Sequence, residues 1–389
     1  MGHFVVVFVL LAVMSFVEQF CKKNKNLLSI FAKIMLIGLV LASSLRGNNK
    51  ADYDTYKEVF DLMTSTSKLL VAQNFFYEPI YSVIQWLCKL FVGNFQFMLF
   101  VLAVLVIGLE YNYADEFSIQ TQASGEMNMN GNVLFGKESC HPGENYFTVF
   151  LILWGLYSAN IFVIRSSVAL CICLYSTKYI EQQNRRKFIL LILLAVGFHY
   201  SALIFVPAYS IYKFHSDMAA KLLLFAASVF FLVLFIDRIM LVIGSLGGKI
   251  GHKVAAYRQG QGNSLLYATG MNQPVWFIYG KALVNIGFLI FLGIIIWKNY
   301  KKERRYEGYF NLYLFGCVLY ISGLTVGYAF ARIAIYYNVF QIPMMMYMVA
   351  DRNERIANRK IYWIIICFYL LFRMVMNYTV PYIPFWKNA

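Results

Sequence analysis

The sequence predicts an all-α polytopic integral membrane protein of about 11–12 transmembrane helices, and three observations predict it. Hydrophobic residues make up 60% of the 389 and charged residues only 14%, whereas a soluble domain is nearer half and a quarter. Apolar runs long enough to cross a hydrocarbon core of ~30 Å recur along the chain. The surplus of 34 basic over 19 acidic residues, a net +15, is gathered into segments between those runs. In a soluble protein that surplus would suggest nucleic acid, but here it matches loops retained in the cytoplasm, and no nucleic-acid partner is expected. Seven cysteines, odd in number and mostly inside apolar runs, exclude a secreted disulfide scaffold.

The clear runs lie near 3–20, 27–45, 95–110, 146–164, 166–180, 221–237, 276–297, 310–327, 333–350 and 361–378. The first has no basic residue ahead of it and no small-residue cleavage site after it, so it reads as an anchor. Val6 stands where a myristoylation signal needs Ser or Thr. Four basic clusters then orient the chain: Lys22, Lys23 and Lys25; Arg185, Arg186 and Lys187; Lys298, Lys301, Lys302, Arg304 and Arg305; and Arg352, Arg355, Arg359 and Lys360. They hold 15 of the 34 basic residues, and all should be cytoplasmic.

Keeping them on one side requires 187–213, which contains Gly197, His199 and Pro207, to form two short segments meeting near His199 at the outer side. Residues 78–92 are short for a span. Read as an interfacial or re-entrant helix, they leave the polar loop 111–145 cytoplasmic; read as a span, they put it outside, and the first is preferred. The expectation is one polytopic membrane domain over 1–389, with external loops at about 46–77 and 238–275 and no internal repeat.

Charges at membrane depth carry the chemistry. An Arg near the centre of a span costs about 2.5–3.5 kcal/mol, so it is seldom there without a partner. Arg46, Arg165, His199 and Arg332 all fall at the outer ends of membrane segments in this topology. Several guanidinium groups at one depth suit a pyrophosphate, since each keeps its charge and forks onto phosphate oxygens. The bland alternative is a set of snorkelling anchors. Arg165 and Arg332 favour the functional reading, because each sits between apolar runs with almost no loop. His199 is either a structural hydrogen-bonder or a base or phosphate ligand.

Asp52-Tyr53-Asp54 has the spelling of the metal motif of nucleotide-sugar transferases, but it lies in a loop read as external, away from nucleotides. A solvated acidic loop, or a carboxylate acting on a sugar hydroxyl, fits Asp52 better. The Gly-rich stretch Gly244 to Asn263 lacks a P-loop ending, since Ile250 follows Lys249. It reads as a mobile loop or as a lid over a carbohydrate, with Lys249 and Arg258 as its contacts. Cys140 beside His141 is too little for zinc, and no metal is expected.

Four stretches resemble the EpsG-type members of the Wzy polysaccharide polymerases. They are LASSLRGNNKADYDTYKEVF; YEPIYSVI; IFVIRSSVALCICLYSTKYIEQQNRRKFILLILLAVGFHYSALI; and YAFARIAIYYNVFQIP. Ser166 stands where the family often has Gln, and Ala51 where it often has Gly. The resemblance implies the membrane fold of lipid-linked glycosyltransferases (GT-C-like) in a bacterial inner membrane, with the active site facing outward. It implies joining of undecaprenyl-pyrophosphate-linked repeat units of O-antigen, capsule or exopolysaccharide, without a cofactor. The lipid-linked donor and acceptor are the expected partners, together with membrane lipids and a chain-length regulator protein. On that reading Arg165, Arg332 and Arg46 hold the pyrophosphate, and His199 is ligand or base. Asp52 or Glu78 is a competing base, and Tyr336 stacks on sugar. An O-antigen ligase, a flippase of lipid-linked sugars and a membrane O-acyltransferase are the competing classes; the flippase should show the internal repeat that is missing here.

Overall fold

The computed structural model describes residues 2–21, 25–48, 53–64, 76–123, 145–157, 164–245, 304–326, 331–350 and 355–377, with scattered positions between 247 and 294. Every regular element among them is helical. In chain order they are α1 (Gly2–Phe20), α2 (Lys25–Ser44), α3 (Tyr53–Leu62), α4 (Pro79–Phe91), α5 (Phe95–Ala123), α6 (Tyr146–Tyr157), α7 (Ile164–Glu181) and α8 (Arg185–Phe198). A 3-10 run (Tyr200–Phe205), α9 (Ala208–Tyr212), α10 (Met218–Ser245) and α11 (Arg304–Val326) follow. A 3-10 turn (Arg332–Ala334), α12 (Ile335–Asn338), α13 (Gln341–Ala350) and α14 (Ile356–Asn377) complete the order.

Helix throughout is what an apolar chain must adopt in lipid, where every backbone N–H and C=O needs a partner within its own segment. Among the described residues, Asn26–Ser44, Phe95–Ala114 and Met218–Val242 are long and apolar enough to cross a membrane. The last is only 6% buried. It shows Leu223, Phe230, Phe231 and Leu234 to its surroundings, an apolar surface that water would not tolerate but acyl chains would. The protein is an all-α polytopic membrane protein. Half of the run expected at 276–297 lies outside the described residues.

Three stretches read as loops contain helix. α3 occupies part of 46–77, α5 continues to Ala123, and α10 continues to Ser245. In α5 the continuation contains Ala114, Glu116 and Gln120, good helix formers that hydropathy alone does not register. α8 stops at Phe198, with His199 N still donating to Ala195 O at 2.9 Å, and the chain then tightens into the 3-10 run.

The chain divides into two compact units. The first comprises Met1–Tyr179, Arg186–Leu203 and Met345–Ala389; the second comprises Ile180–Arg185 and Ile204–Met344.

In the first unit α1 packs on α6 and α14, α2 on α5, and α4 on α3 and α5. A buried polar network marks one end of this unit. Glu18, in the last turn of α1, accepts hydrogen bonds from Phe147 N and Thr148 N at the start of α6, at 3.1 and 3.0 Å. Its charge thereby satisfies donors that the first helical turn leaves open. Arg359, near the start of α14, donates to Gln19 Oε1 at 3.2 Å and to Val349 O at 2.6 Å. The opposite end carries the end of α2, both ends of α4 and the starts of α5 and α7. α4 cannot cross, because its 13 residues span roughly 20 Å at 1.5 Å per residue. Glu78 at its start pairs with Arg165 and His199, while Gln96, just past its end, donates to Arg46 O at 2.9 Å.

The second unit packs α11 against α9, α10 and α12. Gly308 faces the ring of Tyr212 so closely that a Cβ there would overlap it, which sets the approach of α9 to α11.

Candidate active site

The first unit gathers sequence-distant charges at the end that carries Glu78. Glu78 is the N-cap of α4, followed by Pro79 in the first helical turn, where a missing N–H costs nothing. Arg165 lies in the first turn of α7, where the helix dipole disfavours a cation. A carboxylate beside it offsets that cost. Arg165 Nη1 donates to Glu78 Oε2 at 2.5 Å, and Arg165 Nε donates to Tyr56 OH at 3.0 Å. The guanidinium stands over the ring of Tyr77, its Cζ 4.1 Å from the centroid, with Tyr56 at 5.3 Å and Tyr81 at 5.8 Å. Tyrosine faces attract a cation while excluding water from it.

The other carboxylate oxygen is also engaged. Glu78 Oε1 lies 3.0 Å from His199 Nδ1 and 3.4 Å from Tyr200 N. Burial pushes the Glu78 carboxyl pKa up, but the His199 hydrogen bond and the Arg165 charge outweigh it and hold the pKa at about 2. An ionised carboxylate only accepts, so Nδ1 carries the hydrogen and the neutral ring keeps its lone pair on Nε2. Glu78 is 1% exposed, Arg165 14% and His199 25%. Glu78 is therefore enclosed with both oxygens occupied, while the imidazole and the guanidinium reach the surface. Among the described residues, two of the five guanidinium N–H groups are used, one by Tyr56 and one by Glu78.

Arg46 is buried in the same unit. Glu78, Arg165 and His199 meet directly. Arg332 belongs to the second unit, exposed on its 3-10 turn. Tyr336 is buried in α12 of that unit. Asp52, Lys249 and Arg258 lie outside the described residues. Among those residues no group of three metal-ligating side chains occurs.

Sequence reasoning missed the tyrosines around Arg165 and the inward face of α4. Tyr81, Ser82, Gln85 and Cys88 face the protein, while Leu87, Leu90, Phe91 and Val92 face outward. Tyr81 OH, Ser82 Oγ and both amide atoms of Gln85 are buried without a hydrogen-bond partner among the described residues. Each such atom costs about 1–3 kcal/mol when nothing replaces water. The signal for the face was present as polar residues three to four apart in an apolar segment; the signal for the tyrosines was only their number.

The geometry offers an oriented imidazole and a guanidinium on one carboxylate, the guanidinium among aromatic faces. The EpsG family pattern matches residues 29–386, nearly the whole chain. Neither the curated proteins nor the solved structures contain a match to the chain.

Proposed function

The chain belongs to the EpsG family, and from that membership, with its polysaccharide polymerase-type role, we propose that it is a glycosyltransferase joining undecaprenyl-pyrophosphate-linked oligosaccharide repeat units. The observation that carries this reading is the pairing of Glu78 with both Arg165 and His199. His199 Nε2 takes the proton of an acceptor hydroxyl as its oxygen attacks the anomeric carbon of the growing chain. The bond from that carbon to the pyrophosphate oxygen breaks, and the electron pair leaves with undecaprenyl pyrophosphate. Arg165, aided by Arg46, meets the charge that develops on the leaving oxygen with prepositioned donors. Arg332 keeps its assignment as a pyrophosphate cation on its sequence setting alone. Glu78 is not the base in this reading, because both its oxygens are committed.

The site-bearing end is assigned to the outer face of the cytoplasmic membrane. Arg359 of the last basic cluster and Glu18, just ahead of the first, occupy the opposite end of the same unit, which supports that orientation. The start of α6 is at the basic end too, which supports a cytoplasmic side for the loop that enters it.

Complementation of a strain lacking the gene tests the reading. Arg165→Ala, His199→Ala and Arg332→Ala should each leave glycans carrying a single repeat unit while immunoblots show normal insertion. Long polymer from all three variants would remove the proposal.

A further inference from the structure

We infer that the inward face of α4 is a saccharide subsite continuous with the Glu78–Arg165–His199 centre, an inference that rests on the polymerase reading above. α4 is amphipathic in the inverted sense. Its apolar face, with Leu90 and Phe91, is exposed, and its polar face, with Tyr81, Ser82 and Gln85, is turned into the protein. That is the arrangement of a helix bathed in acyl chains on one side and lining a polar site on the other. The three polar residues follow Glu78 at intervals of three, four and seven, so they form one stripe along the helix. From Glu78 to Gln85 the stripe runs roughly 10 Å at 1.5 Å per residue.

The chemistry of the stripe selects its ligand. It carries no charge, so it does not duplicate the anion site at its head. A phenol, an alcohol and a primary amide each both donate and accept. A ring hydroxyl does the same, and the amide of Gln85 can engage two neighbouring hydroxyls at once. Their polar atoms, side chains of three fully buried residues, have no partner among the described residues. Tyr56 and Tyr77 add aromatic faces at the head of the stripe, where the reacting sugar would stand.

The test uses the full-length enzyme in nanodiscs and lipid-linked repeat units extracted from cells that lack it. Gln85→Leu keeps the side-chain volume but removes both amide groups. We expect its KM for the repeat unit to rise about tenfold, with kcat within about threefold, since a lost hydrogen bond to substrate is worth about that factor. Ser82→Ala should raise KM about threefold. Inhibition by glycan-free polyprenyl pyrophosphate should be the same in wild type and in both variants. If Gln85→Leu raises the thermal midpoint and leaves KM unchanged, the stripe is a structural feature and the subsite is refuted. Equal weakening of the glycan-free inhibitor would also refute it, since the effect would then belong to the anion site. If wild type does not extend the extracted repeat units, the polymerase reading fails first, and that failure is distinct from an unchanged KM.

Discussion

Each unit of the protein clamps a buried glutamate between a histidine and a cation, and the two clamps differ in what they leave over. In the first, Glu78 joins Arg165 and the Nδ1 of His199. In the second, Glu307 joins Lys221, at 2.8 Å, and the Nδ1 of His215. Lys221 forms its ion pair with Glu307, donates to Asn311 Oδ1 at 2.6 Å and to Phe214 O at 3.3 Å, and is itself buried. His215 is 77% exposed among the described residues. The Lys221 clamp is saturated and ties α10 to α11. Arg165 and His199 both reach the surface, Arg165 from among the rings of Tyr56, Tyr77 and Tyr81. On the proposed reading a like set of residues makes a strut in one unit and a reactive centre in the other, and the difference lies in whether the cation reaches the surface.

The sharpest break of this comparison is between the two histidines. His199→Ala should lower polymerisation by about 10²–10⁴-fold, the usual worth of a positioned base, while His215→Ala should stay within about twofold. Assays of chain extension on purified protein check both. If His215→Ala is the more damaging, the assignment of strut and centre is reversed.

The two glutamates separate orientation from support. Glu78→Gln can still bond His199 but removes the charge that fixes its tautomer, so kcat should fall about 10–100-fold with KM little changed. Its pH–rate profile should also shift, which a merely structural role would not cause. Glu307→Gln should instead cost about 3–5 kcal/mol of stability, because it leaves Lys221 buried without its counter-charge, and activity per folded molecule should persist.

Arg165→Lys keeps a charge but loses the planar fork that spans Tyr56 and Glu78, so about a tenfold loss is expected, with no full rescue. Lys221→Arg should leave chain extension unchanged in the same assay. Full activity in Arg165→Lys would mark Arg165 as a charge anchor.

The smallest effect is in pH. The fold holds the Glu78 carboxyl at about 2, below its ordinary 4.5, so the ionised form is the one the folded protein favours. Its contribution is complete above the ordinary carboxylate range and is lost as pH falls through about 2. The advantage of wild type over Glu78→Gln in thermal midpoint should therefore be flat from about pH 8 to about 6, and should shrink below about 4.5. A gap that narrows between about pH 8 and 6 would mean that another group supplies it.

Part of the candidate site was legible before the fold. Arg165 and His199 stand out because each interrupts an apolar run at membrane depth, where a polar side chain is retained only for a reason. The break after Phe198 was legible from Gly197, His199 and Pro207. Glu78 was legible as a candidate but not in its role, since its partners lie 87 and 121 residues further along the chain. Tyr77 and Tyr81 were hidden among the 29 tyrosines of the sequence, with nothing local to mark a cation over their rings. The short segment at 78–92 left two topologies open. Contacts at both ends of α4 put it at one end of the unit without crossing.

What the sequence determines alone is the environment and the helical state. Both follow from apolarity summed over a window of about 20 residues and from the need to satisfy the backbone locally in lipid. It also determines which charges are costly enough to require a use. What only the tertiary structure decides is which charge meets which, which face of α4 turns inward, and whether a clamp is saturated. Those depend on helices that meet across more than a hundred residues of chain, through distances of about 3 Å that no local pattern encodes.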